Sequence, residues 1–353
     1  MSDTIVIAAG GTGGHLFPAQ TLASDLEKAL NCTVIFMAKG LSRNPRFDRA
    51  RFRFFDITAS HIGLRACIDI PRGVFQSIRY FLKTRPKVVV GFGSFHTFPV
   101  LVAARLLGIP VILHEANRKP GRVNRIIAPF AAFSAVFFPD TKLSGKVVQA
   151  DIPLRIDTSV DKTQARSHYG LELDKTTILV FGGSQGAKML NSITGDTLAR
   201  VGMKRSIQVL HFTGNPETTR TLRTLYENAG IKHVVKEFEN QMQYAWKAAD
   251  LVLARAGAST IAEQIACSVP AIFIPFPYAT DRHQDHNAAY VEQIVRGAKV
   301  FFEDEVTVEK LANEIETVLE HKLQSFINNI QAYKESTKNA SFAEQIITYL
   351  GVK

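Results

Sequence analysis

Three groups of residues have the types and spacing to do chemistry. His15 closes the run Gly10-Gly11-Thr12-Gly13-Gly14-His15, which directly follows the apolar stretch Ile5-Val6-Ile7. Glycines between a strand and a helix let an anion reach bare backbone N–H groups, and the helix start adds the positive end of its dipole. An imidazole there is disfavoured as the cation and can accept a proton, as a general base must; a packing or capping role is the alternative reading. The second group is Arg255-Ala256-Gly257-Ala258-Ser259-Thr260 with Glu263. Ser259 is expected to cap a helix, placing Glu263 one turn further on the same face. A carboxylate there can accept from both hydroxyls of a ribose while the helix start holds phosphates; a dipole contact alone is the alternative. The third group is "DRHQDHNA", in which Gln284 and Asn287 are amides suited to sugar hydroxyls. Its histidines and aspartates leave a metal reading open there.

A second glycine loop, Gly182-Gly183-Ser184-Gln185-Gly186, also follows an apolar run. With Arg255 to Thr260 in the same half, it points to a nucleotide diphosphate. Dinucleotide binding requires G-x-G-x-x-G and an acidic residue ending the second strand. Neither Gly10 nor Gly11 begins that spacing, and "IFMAKG" brings Lys39 to that place. No Gly-Lys-Ser/Thr completes a Walker loop, and no Asp-x-Asp occurs. No metal or cofactor is therefore expected, and helix dipoles and loop amides are left to stabilise a departing diphosphate.

The elements that must position these groups follow from the apolar runs. "TIVIAA" reads as a buried strand, with a helix opening at Phe17-Pro18 and "TVIFMAKG" completing a β-α-β unit. "KTTILVFGGSQGAKMLN" repeats the plan, with its helix from Ala187 and its loop starting 172 residues after Gly10. "PKVVVGFGS", "IPVILHEAN", "IQVLHFTGN", "HVVKEFEN", "DLVLARAGAS" and "PAIFIPFP" supply further strands, mostly separated by segments able to form helices. This alternation predicts an α/β protein of two Rossmann-like, doubly wound parallel-sheet domains facing across a cleft. The expected spans are 1–157, 158–335 and a C-terminal helix in 336–353 that packs on either domain, with a linker over Asp151 to Lys162.

Composition bounds the setting. The three cysteines are widely separated and lack C-x-x-C spacing, which argues against a disulfide framework or a zinc site. No signal peptide or spanning segment is expected. Through Arg155 there are 21 Lys/Arg against 9 Asp/Glu, a net +12, whereas the remainder carries 21 against 23. The first half therefore faces something anionic: a phosphorylated substrate, a membrane surface or nucleic acid. Within it, "CIDIPRGVFQSIRYFLKTR" places Ile70, Val74, Ile78 and Phe81 at helical spacing among Arg72, Arg79, Lys83 and Arg85. That pattern fits a membrane-surface helix or a helix packed on its own sheet. No recognisable RNA-binding module interleaves aromatics with the basic residues, so nucleic acid is not expected.

Taken in order, "GGTGGHLFPA", "HEANRKPGRVN", "FGGSQGA", "RAGASTIAE" and "PFPYATDRHQDHNA" closely resemble the MurG family. These are UDP-N-acetylglucosamine:lipid-linked muramyl-pentapeptide N-acetylglucosaminyltransferases of peptidoglycan synthesis, and the similarity runs from Ile5 to about Lys299. The resemblance implies a metal-independent, inverting hexosyltransferase of the glycosyltransferase B fold, needing no cofactor. By similarity, Phe238 lies near the uracil and Glu263 takes the ribose hydroxyls. Ser184, Gln185 and Thr260 take the diphosphate, Gly183, Arg255, Ala258 and Ser259 complete the donor site, and Gln284 and Asn287 with His283 read the N-acetylglucosamine. In the N-terminal domain the acceptor, undecaprenyl-diphosphate-muramyl-pentapeptide, meets Thr12, Gly13, Gly14, Gly91, Gly93, Ser94, Asn117 and Arg155. His15 or Glu115 takes the proton of its 4-hydroxyl, with His15 preferred. The resemblance further implies peripheral attachment to the anionic cytoplasmic face of the bacterial inner membrane, with other cell-wall synthesis proteins as partners.

Two stretches depart from the family pattern. Relatives commonly read G-x-G-G-Y-x-S-G-P where this chain has Gly91-Phe92-Gly93-Ser94-Phe95-His96-Thr97-Phe98-Pro99. The family's G-N-P-V-R is here Asp151-Ile152-Pro153-Leu154-Arg155. Rival readings keep the fold and change the acceptor to another lipid, make the protein a UDP-sugar epimerase, or take the basic half as a non-catalytic nucleic-acid surface.

Overall fold

A computed structural model describes residues 3–351 except 61–64, 157–158, 184–186 and 338–339. The chain divides into two compact units. Unit 1 is Met1–Arg155 with Asn339–Lys353, and unit 2 is Ile156–Lys338.

Unit 1 holds a seven-stranded, all-parallel sheet. Its strands are β1 (Thr4–Ala8), β2 (Thr33–Ala38), β3 (Arg53–Asp56), β4 (Val88–Gly91), β5 (Val111–Glu115), β6 (Phe133–Val136) and β7 (Val147–Gln149), in the order β3-β2-β1-β4-β5-β6-β7. Successive residues of β1 alternate between two apolar layers: Ile5 and Ile7 enter one core, Val6 and Ala8 the other. A strand covered on both faces reads as a continuous apolar run, which is why it stands out in the sequence.

Helix α1 (Gly13–Leu30) covers the first face with Leu16, Ala19, Leu22, Ala23 and Leu26 buried. It starts four residues earlier than the sequence suggests, because Thr12, in an extended conformation, serves as N-cap and its carbonyl accepts from the amides of His15 and Leu16. Pro18 therefore lies inside the helix rather than at its opening. The opposite face is covered by α2 (Ala66–Thr84) and α3 (Phe98–Leu106). The short helix α4 (Arg122–Ile127) follows β5.

Unit 2 repeats the plan with six parallel strands: β8 (Thr176–Phe181), β9 (Ile207–Phe212), β10 (Lys232–Lys236), β11 (Leu251–Ala254), β12 (Ala271–Phe273) and β13 (Ala298–Val300). Their order is β10-β9-β8-β11-β12-β13. Its helices are α5 (Lys162–His168), α6 (Lys188–Gly202), α7 (Pro216–Asn228), α8 (Met242–Ala248), α9 (Ala258–Cys267), α10 (His283–Tyr290), α11 (Val308–Thr317) and α12 (Leu323–Ser336). The last helix, α13 (Phe342–Tyr349), belongs to unit 1, where Phe342 and Ile346 enter the core beside α1.

In each sheet, strand order reverses direction beside the first strand of the unit, between β1 and β4 and between β8 and β11. Ligands of open parallel sheets bind at such switch points, beyond the carboxyl ends of the strands.

Candidate functional sites

At the switch point of unit 1, the loops after β1, β4 and β5 carry the expected acceptor-side residues. Gly10 must be glycine, because an added Cβ would come within 2.8 Å of Ala38 Cβ; Gly11 adopts φ +85°. His15 is the third residue of α1, and its Nδ1 lies 3.3 Å from the hydroxyl of the exposed Thr12. Gly13 is buried as the first helical residue, while Gly14 is exposed. Arg155 places its guanidinium 5.4 Å from the centroid of the Phe17 ring in α1, close in sequence to the candidate base.

The second loop is built differently from the sequence expectation. Gly91 is the last residue of β4, and a methyl group there would meet Leu101 at 2.8 Å and Leu113 at 3.0 Å. It is a packing glycine rather than a surface for substrate. Gly93 and Ser94 follow, both with left-handed backbones, at φ +76° and +74°. The Ser94 hydroxyl lies 2.8 Å from His96 Nδ1, and the His96 carbonyl accepts from the Lys39 amide. The His96 ring rests against the first loop, since a Cβ on Gly11 would sit 3.3 Å from His96 Nδ1.

Glu115 is not placed as a base. It is 4% exposed, and both carboxyl oxygens already accept hydrogen bonds. Oε1 takes the Asn117 amide at 2.9 Å and the Asn117 side chain at 3.3 Å; Oε2 takes the Gly121 amide and the Asn124 side chain, each at 2.9 Å. Burial pushes its pKa up while these donors pull it down. The carboxylate thus organises residues 115–124, and Asn117 is part of that scaffold. Between Phe92 and Phe342 lies His114, its ring 5.0 Å from each, with its pKa driven by burial down to about 3.

In unit 2, Ser184 and Gln185 lie outside the described residues, while Gly183 has φ +87° and open space at its Cβ position. Helix α9 is capped by Gly257 in an extended conformation, so Ala258, Ser259 and Thr260 form its first turn and Ser259 is not the cap. The amides of that first turn form a helix start of the kind that binds anions. Arg255 is turned away from that role: 6% exposed, its Nη1 donates to the carbonyls of Ile274 and Pro275 and to Glu303, each at 3.0 Å. It braces the end of β11 against the following segment. Glu263 accepts from the indole N–H of fully buried Trp246 at 2.9 Å, and burial pushes its pKa up to about 7 against that donor. The sequence alone does not single out Trp246, because a lone tryptophan in "YAWKAAD" looks like ordinary core.

The sugar-side residues cluster around α10. Gln284 Oε1 accepts from the Phe276 amide at 2.9 Å, and Nδ2 of the buried Asn287 donates to the Ala256 carbonyl at 3.3 Å. These bonds tie α10 to the β12 loop and to the α9 turn. His283 Nδ1 donates to the Thr280 carbonyl at 2.8 Å, which fixes the orientation of the ring. Phe238 is 50% exposed, beside an open depression lined by Pro216, Arg220, Arg223 and Lys236. Among the described residues, no three His, Cys, Asp or Glu side chains are grouped to hold a metal ion.

Helix α2 takes the second of the two readings of its stripe, packing on its own sheet. Phe81 is buried, with Val74 and Ile78 packed against the unit 1 core, so these three residues of the stripe point inward, while Ile70 is half-buried. A different set, Ile68, Phe75 and Leu82, is exposed by 71%, 67% and 63% at seven-residue intervals, beside exposed Arg72 and Arg79. Among the described residues, no helix is long and apolar enough to cross a membrane.

Two parallel α/β sheets, each with a glycine loop at its switch point, are the architecture of the glycosyltransferase B fold. The family described as glycosyltransferase family 28 matches this chain twice, through its N-terminal domain over residues 5–136 and its C-terminal domain over 177–346. The chain belongs to that family. It is 40% identical to the UDP-N-acetylglucosamine--N-acetylmuramyl-(pentapeptide) pyrophosphoryl-undecaprenol N-acetylglucosamine transferase of Protochlamydia amoebophila, over 98% of this chain and 96% of that one. To the protein of the same name from Bacillus subtilis it is 33% identical, over 89% and 90%. The crystal structure of Acinetobacter baumannii MurG superposes with a TM-score of 0.79 over the whole of both chains, at 26% identity. A UDP-glucose: anthocyanidin 3-O-glucosyltransferase in complex with UDP reaches 0.72 over 99% and 98%, at 14% identity, which is a likeness of fold alone.

Proposed function

We propose that this enzyme transfers N-acetylglucosamine from UDP-N-acetylglucosamine to the 4-hydroxyl of the lipid-linked N-acetylmuramyl-pentapeptide. What carries this reading is the whole-length similarity to proteins of that name. The similarity spans both units, whereas nucleotide loops alone would not separate one acceptor from another. Unit 2 takes the donor: Glu263 accepts from the ribose hydroxyls, and Gly183 with the first turn of α9 faces the diphosphate. Gln284 and Asn287 hold α10, with His283 at its start, against the sugar. Unit 1 takes the acceptor at the first glycine loop.

His15 removes the proton as the 4-hydroxyl oxygen attacks the anomeric carbon. The bond from that carbon to the UDP oxygen breaks in the same step, and the α-linked donor gives a β-1,4 product. The charge leaving on UDP is met by the backbone amides and helix dipole of α9. Helix α2 brings unit 1 to the anionic cytoplasmic leaflet through Ile68, Phe75 and Leu82, with Arg72 and Arg79 over the headgroups.

The test is transfer of labelled N-acetylglucosamine from UDP to a lipid-diphosphate-muramyl-pentapeptide analogue, with EDTA present. His15→Ala should reduce transfer by roughly 10²–10⁴-fold while UDP still binds. No transfer by folded wild type that binds UDP would overturn the choice of acceptor. Turnover of UDP-N-acetylglucosamine alone would reveal an epimerase instead.

A further inference from the structure

Beside the first glycine loop of unit 1, on its β2 and β3 side, lies a small pocket lined by Lys39, Ala59, Ser60, Phe95 and His96. Its polar groups come from three separate loops, after β2, β3 and β4. The Ser60 hydroxyl is buried and has no hydrogen-bond partner among the described residues. A buried hydroxyl of this kind is normally satisfied, so one facing a pocket points to a ligand atom that completes it. The His96 ring is set by the contact of its Nδ1 with Ser94 and by its packing on Gly10 and Gly11. The exposed Lys39 adds an ammonium group at the end of β2.

Among the described residues, no carboxylate lines the pocket. Asp56, at the end of β3, accepts from the backbone amides of Leu41 at 2.7 Å and Ser42 at 3.2 Å. The lining therefore offers a cation, a hydroxyl and an imidazole in the same wall as an amide-rich glycine loop, a donor set that suits an anionic oxygen cluster.

We propose that Lys39, Ser60 and His96 form a subsite for one phosphoryl group of the acceptor's diphosphate, the other phosphoryl group lying at the first glycine loop. Ser94 acts in it as a positioning residue for the His96 ring. The subsite rests on the proposed acceptor. It also accounts for the departure at Ser94 and His96 from the family pattern, since His96 supplies a side-chain donor to the anion and Ser94 sets its ring.

The experiment measures steady-state transfer with Lys39→Met, Ser60→Ala and His96→Phe, varying acceptor analogue and UDP-N-acetylglucosamine separately, and inhibition by inorganic pyrophosphate against the acceptor. Each substitution should raise the acceptor KM about tenfold and weaken pyrophosphate inhibition by a similar factor, with the donor KM unmoved. Ser94→Ala should do the same to a lesser degree. Wild-type transfer with unchanged acceptor KM and unchanged pyrophosphate inhibition in the Lys39 and Ser60 variants would overturn the subsite while leaving the function standing. Absence of transfer by folded wild type that binds UDP would overturn the proposed acceptor and, with it, the subsite. Lys39 is exposed, so its variant keeps the test informative if the others fold poorly.

Discussion

Replacing Trp246 by Phe tests whether the donor site depends on the charge of Glu263. The indole N–H is the contact that favours the ionised carboxyl, and burial is what opposes it, leaving a pKa of about 7. A hydrogen bond to a charged group contributes about 1.5–3 kcal/mol. At roughly 1.4 kcal/mol per pKa unit, losing it moves the carboxyl to about 8–9. If only the ionised form accepts from both ribose hydroxyls, UDP affinity follows the ionised fraction. With a mutant pKa near 8.5, the deficit relative to wild type is about 30-fold at pH 6, about eightfold at pH 7.5 and about twofold at pH 8.5. Titration calorimetry of UDP with both proteins across that range reads the ratio directly, and any ionisation of UDP itself cancels. Trp246 also packs edge-on against Phe181, at 5.7 Å between ring centroids, so the smaller ring loses packing as well. That loss does not depend on pH. A deficit constant from pH 6 to 8.5 would therefore refute the electrostatic role and leave Trp246 as core alone.

Other substitutions separate the remaining roles. Glu115→Gln sets an amide N–H group against the donors that now meet a carboxylate; unit 1 should lose about 1–3 kcal/mol in denaturant unfolding. Its transfer rate should keep the wild-type pH profile, and a missing ionisation in that profile would make Glu115 the base after all. Phe75→Glu should abolish sedimentation with anionic vesicles, and Arg72→Gln or Arg79→Gln should weaken it about fivefold each, for about 1 kcal/mol per basic residue. Binding equal to wild type would remove α2 from the membrane contact. His114 and His211 are buried with pKa values pushed by desolvation down to about 3, against an ordinary value of 6.5. The unfolded chain takes up these protons first, so the stability is full above pH 6.5 and is lost as the pH falls toward 3. Each histidine should cost about 2 kcal/mol at pH 5 relative to pH 7.5, and His114→Phe should remove its share from the pH dependence of unfolding.

Strands buried on both faces were the most legible part of the fold. β1, β4, β5, β8, β9, β11 and β12 are each short apolar runs buried on both faces, and their length and β-branched residues separate them from buried helix segments. Edge strands were not legible: β3 is half-exposed "RFFD" and β7 is three residues, "VVQ", and at a sheet margin neither run carries a distinctive pattern. The start of α1 is hard to read because Pro18 is a strong signal for a first turn, while the actual cap, Thr12, acts through its carbonyl and makes no side-chain cap. The apolar stripe of α2 was visible, but periodicity does not say which of two stripes meets the sheet. Gly73 settles it: a side chain there would come within 2.0 Å of the Thr58 carbonyl, so that edge of the helix must face inward and Ile68, Phe75 and Leu82 must face out.

The same reasoning explains why residue type predicts a site better than it predicts a role. Glycine loops, His15 and Glu263 stand out because their types and spacing are unusual; the loops and His15 follow the ends of β1 and β8, where parallel sheets place ligands, and Glu263 lies in the second turn of α9. Arg255 and Glu115 are equally suggestive in sequence, yet both are buried and committed to backbone and side-chain partners within their own unit. A buried charged group tied in this way offers a substrate less than its residue type suggests, but it fixes where neighbouring loops stand. Removing one partner of such a bond leaves a buried polar group unsatisfied, a cost as large as many lost substrate contacts. Loss of activity alone therefore cannot assign a catalytic role to Arg255 or Glu115. The pH profile and the separation of donor from acceptor KM can, because scaffolding moves neither ionisation of the base nor binding in the other unit.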